Sequence, residues 1–425
     1  MLSPRPTARG PRPIALACLL VASCTPRTLP RNDDSAPDVA DGLLVGAEDR
    51  GALKPFADAA HIDLADITVE TDASQFPRFG GAPCASVLAK QRRIVGFALK
   101  TSDYRPHLPP GEEIARFFSR RPAPTFPGFA LLGRLPGLGH LAIHASGVST
   151  LRDVGALRGL RRLSLEQNDI ASLEGSEGLV SLEQLSLDGN SIARTAPLGA
   201  LRRLQSLALT FNKIVRFEGL DRLAALRRLD ASRNELTVVD GASLPKQLEH
   251  LDVSFNQITR VALAPLVALR TLNLDGNRLE STDGLAQLAA LETLRLEGNR
   301  LRTTRGLEKL ARLRELVLSN NRIERIEAVE ELTSLRTLDL NGCPVRSLAG
   351  VRLPPQLETL SVSQLASIGG LEELLAAHPN LKLVDLQDVN LSPAQRQRIK
   401  SLMKKHKGVY LRHCLKGPDG RLIEC

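Results

Sequence analysis

The chain has no tryptophan, two tyrosines and two methionines, and aromatic residues are only 3% of its 425 positions. Eight of its eleven phenylalanines lie before residue 130, so the remainder must pack its core from aliphatic side chains. No apolar run approaches the ~20 residues that a membrane-spanning helix needs, which excludes such a helix. A phosphate-cradling glycine loop, a nucleophile elbow, paired zinc cysteines and an HExxH segment are also missing, and Gly137-Leu138-Gly139 is no more than a turn. There is no basic stripe either. The formal charge of +9, from 56 Lys and Arg against 47 Asp and Glu, is spread over a mixed surface, unlike that of a nucleic-acid binder. What is present in quantity is apolar residue, 43% of a chain long enough for one extended or two or three ordinary domains.

The first residues read as an address. Arg5, Arg9 and Arg12 occur without an acid, and the apolar run Ile14 to Ser23 (IALACLLVAS) ends at Cys24. Ten residues cannot cross a hydrocarbon core of ~30 Å, so residues 1–23 are expected to be a signal peptide. Val21-Ala22-Ser23-Cys24 resembles the lipobox of bacterial lipoproteins. That resemblance implies that Cys24 carries palmitate-class acyl chains, becomes the mature N-terminus and, with Thr25 after it, holds the protein at the outer membrane or cell envelope. Acyl chains at ~0.8 kcal/mol per buried CH₂ anchor without a spanning helix. Losing the signal removes Cys18 and three Arg, so +9 − 3 = +6 remains. Residues 24–42 are Pro-, Asp- and Asn-rich and read as a tether.

Aligning leucines exposes a period. LRRLSLEQNDI begins at Leu160, and related segments begin at Leu182, Leu204, Leu226, Leu248, Leu269, Leu291, Leu313 and Leu335, 22 residues apart with one step of 21. A weaker copy starts at Leu138 and degenerate ones at Leu357 and Leu381, which makes twelve units over residues 138–391. Within LxxLxL the leucines alternate, as in a short strand with one buried face. Asn168, Asn190, Asn212, Asn234, Asn256, Asn277, Asn299 and Asn321 follow the strands, where side-chain amides can satisfy backbone groups of the turn and its neighbour. Cys343 takes the same position in the next unit and reads as a buried structural thiol. Spacings of three, as in Leu220, Leu223 and Leu226, suit 3₁₀ turns or very short helices between units. One unit cannot bury its own leucines, so units must stack.

This pattern resembles the leucine-rich repeat family, in the short class found in bacterial internalins and in regulatory subunits of protein phosphatases. The resemblance covers about 60% of the chain. It implies an α/β solenoid with a parallel β-sheet on its concave side, short 3₁₀ or helical turns on its convex side, caps at both ends, no catalytic activity and a protein or ligand bound on the concave face.

Residues 43–137 lack the period and are expected to be an N-terminal cap or a small separate domain, with IVGFALKTS (94–102) as a strand and EEIARFFSR (112–120) as a short helix. Residues 392–425 are expected to be a C-terminal cap helix to about Lys405, with Ile399, Leu402 and Met403 inward, and a hairpin around Lys416 to Gly420. Cys414 and Cys425 flank that turn, and in an exported chain they are expected to pair. The helix belongs to a stretch without acids between Asp388 and Asp419, a solvated face or one for anionic lipid. His140 and His144 share a strand face but stand ~13 Å apart at ~3.3 Å per residue, too far to share a metal ion.

The outward strand positions are the informative surface. Their first column runs His140, Arg162, Gln184, Ser206, Arg228, His250, Thr271, Thr293, Glu315, Thr337, Thr359, Leu383. The next two are mostly small or acidic: Ser164, Ser186, Asp230, Asp252, Asn273, Asp339 and Asp385, then Glu166, Asp188, Ser232, Ser254, Asp275 and Glu297. An acidic bias favours a basic or hydroxyl-rich protein or cell-surface polymer and disfavours nucleic acid. Phe211, Arg233 and Phe255 fall immediately before the ladder Asn of three consecutive units, so stacking should place an Arg between two rings. With Arg228, Asp230, His250 and Asp252 they form the expected ligand-binding set. No cofactor or metal is expected. Two other readings stay open: a cytoplasmic or host-directed regulator, and an enzyme using Cys84, His61 and Asp63 within residues 43–137.

Overall fold

The computed structural model describes residues 128–134, 138–363, 365, 369–386 and 393–405, the strand segments 67–70, 84–90, 93–100, 410–412, 415–416 and 422–424, and Pro55. Residues 1–42 with Cys24, the pair His61 and Asp63, the expected helix at 112–120, and Cys414 with Cys425 lie outside these residues.

Three strands precede the repeats: β1 (Ile67–Glu70), β2 (Cys84–Lys90) and β3 (Arg93–Lys100). The repeats supply β4 (His140–His144), β5 (Arg162–Ser164), β6 (Gln184–Ser186), β7 (Ser206–Ala208), β8 (Arg228–Asp230), β9 (Val238–Asp240), β10 (His250–Asp252), β11 (Arg260–Ala262) and β12 (Thr271–Asn273). They continue with β13 (Thr293–Arg295), β14 (Glu315–Val317), β15 (Thr337–Asp339), β16 (Thr359–Ser361) and β17 (Leu383–Asp385), and β18 (Tyr410–Arg412) follows. Apart from β9 and β11, these strands hydrogen-bond in chain order into one open sheet of sixteen. All its pairs are parallel except β2 with β3. Because β3 pairs with β4, Gly96 against His140, the segment before the repeats continues the same sheet.

The leucine spacing explains the register. Leu163 pairs with Leu185, Leu185 with Leu207 and Leu207 with Leu229, so equivalent side chains stack behind one another. The leucines of each LxxLxL, such as Leu160, Leu163 and Leu165, are buried, whereas Arg162 between them is exposed. Behind the sheet the chain returns through 3₁₀ turns at Val154–Ala156, Ser176–Gly178, Ala196–Ala200 and Leu220–Arg222. These turns touch through glycine, since a Cβ on Gly178 would lie 2.4 Å from the Gly155 carbonyl oxygen.

Not every return is a 3₁₀ turn; the expected 3₁₀ or short helical turns are joined by one further element. β9 and β11 form a second, two-stranded parallel sheet, Val239 beside Val261, because β-branched residues favour extended chain where the neighbouring units coil. In the degenerate unit after Leu357 the step lengthens to 24 residues, and LEELLAA becomes helix α1 (Leu371–Ala377). Good helix formers, two acids in its first turn and left-handed Gly370 at its start favour it. α2 (Pro393–Lys405) follows, with Leu402 buried and Arg398 paired to Glu372 of α1. β19 (Leu415–Lys416) and β20 (Leu422–Glu424) close an antiparallel hairpin. Among the described residues no helix is long and apolar enough to cross a membrane.

One edge of the sheet carries an ionic ladder. The residue before each strand reads Arg161, Glu183, Gln205, Arg227, Glu249, Arg270, Glu292, Arg314, Arg336, Glu358 and Lys382. Its neighbours pair across units: Arg161–Glu183 at 3.9 Å, Arg227–Glu249 at 3.4 Å, Arg270–Glu292 at 2.9 Å and Lys382–Glu358 at 2.7 Å.

Leu294 is fully buried and Thr293 beside it faces outward. Leu294→Ala should therefore cost about 2–5 kcal/mol and Thr293→Ala less than about 0.5 kcal/mol in denaturant unfolding. Equal costs would mean that the strand faces are exchanged.

Candidate binding surface

The ladder amides fix the loop geometry. The Asn256 Oδ1 accepts the Leu236 N–H at 2.9 Å, and its Nδ2 donates to the carbonyls of Ala231 (3.1 Å) in the preceding unit and of Val253 (3.0 Å) and Ser254 (3.1 Å) in its own. The same pattern recurs at Asn190, Asn212, Asn234, Asn277, Asn299 and Asn321, all buried. At Cys343 one thiol replaces the amide, donating to the Leu318 carbonyl at 3.2 Å, and burial pushes its pKa up.

The residue before each ladder position is left-handed. Glycine stands there at Gly189, Gly276, Gly298 and Gly342, but Gln167, Phe211, Arg233, Phe255 and Asn320 take the same conformation with φ between 52° and 57°. For a residue with a Cβ this costs roughly 1–2 kcal/mol. Phe211 and Phe255 nonetheless expose 57% and 51% of their surface. The Arg233 guanidinium carbon lies 4.8 Å from the Phe211 ring centroid and 4.4 Å from that of Phe255, so the three form a sandwich. Its flanks are bare: Gly189 stands on one side, and on the other the Phe255 ring overlies Gly276, where a Cβ would approach to 2.7 Å. The other candidate residues divide into two groups. Asp230 and Asp252 lie side by side next to this ridge, while Arg228 and His250 pair at the opposite end of β8 and β10. Burial first, and then the Arg228 charge, lower the His250 pKa.

The acidic bias of the face has a structural origin that the residue types did not reveal. Asp230 Oδ1 accepts the N–H and hydroxyl of Ser232 at 2.9 and 2.8 Å, and Asp252 Oδ1 does the same for Ser254 at 2.9 and 2.6 Å. Asp188 accepts the Thr210 N–H of the next unit at 2.7 Å, and Asp275 that of Glu297 at 2.6 Å. These acids cap backbone groups left over where the strand ends. Arg295, at a position where other units carry Ser, Asp or Asn, corrects the acidic reading further. It pairs with Asp275 at 2.8 Å and lies 3.7 Å from Glu297.

Toward the N-terminal end, small residues at Ala142, Ser164, Ser186 and Ala208 leave an open hollow of about 420 Å³ rimmed by His140, Arg162, Gln184 and Glu166. Glu166 Oε1 accepts the hydroxyls of Ser164 (3.0 Å) and Ser186 (2.9 Å), and the His144 Nε2 meets Ser164 Oγ at 2.7 Å. The Glu166 carboxylate thus accepts from both serines, and the imidazole meets one of them. Among the described residues no group of three or more His, Cys, Asp or Glu could hold a metal ion.

This architecture is a leucine-rich repeat solenoid. Residues 226–279 and 311–352 match family models described as leucine-rich repeats. Among solved structures, an internalin, InlF, of Listeria monocytogenes is similar at 17% identity over 77% of this chain and 92% of that one, with a TM-score of 0.59. A leucine-rich repeat protein of Leptospira interrogans is similar at 23% identity, over 66% and 79%, with a TM-score of 0.51. The LRIM1/APL1C complex contains a chain similar at 20% identity, over 68% and 57%, also at 0.51. At these identities the likeness is one of fold. Comparison with curated proteins yields no match.

Burial, with the charges of Glu166 and Asp230, pushes the Asp188 carboxyl up to about 6, and burial raises Asp275 and Asp339 in the same direction. An unfolded Asp titrates near ~4, so between these values the folded chain binds more protons than the unfolded one and stability falls as pH rises. Asp188→Asn keeps the acceptor for Thr210. Thermal melts should show the wild type losing stability between about pH 4 and pH 6, and the variant losing less; identical profiles would refute the assignment to Asp188.

Proposed function

We propose that this is a non-catalytic, exported, lipid-anchored leucine-rich repeat protein that binds a protein partner or surface polymer on its concave face. One observation carries the binding reading. Three consecutive units accept a left-handed Phe, Arg and Phe where neighbouring units use glycine, and the side chains gained are largely exposed. Folding does not need them, because Gly189, Gly276 and Gly298 make the same turn without a side chain. Exposed aromatics and arginine are the side chains that dominate interface energetics. The occurrence of a similarly folded chain in a protein complex agrees with this reading. Export and anchoring rest on the apolar run Ile14 to Ser23 and on Val21-Ala22-Ser23-Cys24.

The turn geometry separates binding from packing. Phe211→Gly with Phe255→Gly should leave the melting temperature unchanged or raise it, since glycine adopts positive φ without strain. The same variant should weaken a partner recovered from the cell envelope at least tenfold, about 1.4 kcal/mol. A much lower melting temperature with unimpaired binding would make the rings packing elements. Cys24→Ser should shift the protein from the membrane to the soluble or unprocessed fraction, and unchanged detergent-phase partitioning would refute the lipid anchor.

A further inference from the structure

Among the described residues Arg233 is a cation that meets no anion. Carboxylates occupy the adjoining columns, yet none of those on the described residues forms an ion pair or hydrogen bond with its side chain. Asp230 and Asp252, on the two strands that lead into the turns of Arg233 and Phe255, turn toward the N–H groups of Ser232 and Ser254, and the second oxygen of Asp252 accepts from Asn273 at 2.8 Å. The rings of Phe211 and Phe255 cover the two faces of the guanidinium. What stays open is its rim of N–H donors. A planar fork of this kind fits a carboxylate through two parallel hydrogen bonds, and stacking holds it in place before any ligand arrives.

We infer that the Phe211–Arg233–Phe255 ridge is a receptor for a protein partner's surface carboxylate that is itself framed by apolar side chains. The inference rests on the reading of this ridge as the binding surface and names what the surface recognises. The rings exclude water from both sides of the fork, which strengthens a charged hydrogen bond formed there. Beyond each ring the row drops to Gly189 on one side and to Gly276 and Gly298 on the other. Apolar groups that flank the partner's carboxylate find room over Gly189 and Gly298 and contact with the rings. A polyanion such as nucleic acid would meet the acidic columns along the rest of the sheet.

The test is saturation-transfer NMR on the full chain with three small probes: para-fluorobenzoate, its neutral isostere para-fluorobenzamide, and para-fluorophenyl phosphate. The benzoate should bind the wild type at least tenfold more tightly than the amide. Arg233→Gln should abolish that preference and Arg233→Lys should reduce it, since an ammonium cannot make the paired contact. Arg233→Gly provides a second removal of the fork, in the residue type that the equivalent turns at Gly276 and Gly298 already carry. Equal binding of benzoate and amide, retention of the preference in both removal variants, or absence of benzoate binding would overturn the inference; tighter binding of the phosphate would reassign the site to phosphoryl ligands. Envelope capture separates the two levels. If Phe211→Gly with Phe255→Gly keeps the partner, the ridge is not the binding surface; if that variant loses the partner while Arg233→Gly keeps it, the rings bind and the carboxylate inference fails.

Discussion

One buried amide per unit is the interaction on which the rest of this solenoid depends. Where the chain leaves each strand, backbone N–H and C=O groups turn away from the sheet into a region closed to water, where an unmet polar group costs about 1–3 kcal/mol. Each ladder Asn meets groups in its own unit and in the one before, so it fastens two turns at once. Bringing its side chain inward coincides with a left-handed residue just before it, in unit after unit. Stacking of the leucines supplies the hydrophobic stabilisation. The ladder sets how far one turn lies from the next and which way each loop faces.

The sheet's surface is constrained by the same economy of backbone groups. Asp188, Asp230 and Asp252 face solvent in part and Asp275 is buried, and each has an oxygen assigned to an N–H at a strand end. Charge on such a face is a poor guide to the charge of a ligand. The side chains without such duties carry more information, and on this stretch they are the Phe211, Arg233 and Phe255 of the ridge, on strained backbone and exposed.

Most of the architecture was legible because it is periodic. Leucines at fixed spacing, the Asn column and the coincidence of Phe211, Arg233 and Phe255 at equivalent positions all follow from counting residues, and the Arg between two rings follows from stacking alone. What could not be counted was hidden from the sequence. That Asp230 serves Ser232 depends on a bond two residues away within its own chain turn, and that Asp188 serves Thr210 depends on the neighbouring unit. Arg295 escaped because it interrupts a column that is mostly small or acidic, and its partner Asp275 belongs to a different column of the preceding unit. The second sheet of β9 and β11 and the helix α1 arise where β-branched residues or two extra residues let local preference override the common turn. The left-handed turns at Phe211, Arg233 and Phe255 were invisible for a plainer reason: glycine announces such a conformation and these residues do not.

The alternating charges before the strands bear on how a chain like this can change length. Each pair is solvent-exposed and individually weak, but Arg227, Glu249, Arg270, Glu292 and Arg314 alternate in sign along five successive turns. Excising one interior unit of this run, that of Glu249, Arg270 or Glu292, would set like charges side by side, as Arg314 and Arg336 already stand, whereas excising two adjacent interior units would restore opposite signs at the join. Within the run, recombination between repeats would therefore be tolerated best in even steps, and the shortest interior segment that can be copied or lost without electrostatic conflict is a pair of repeats.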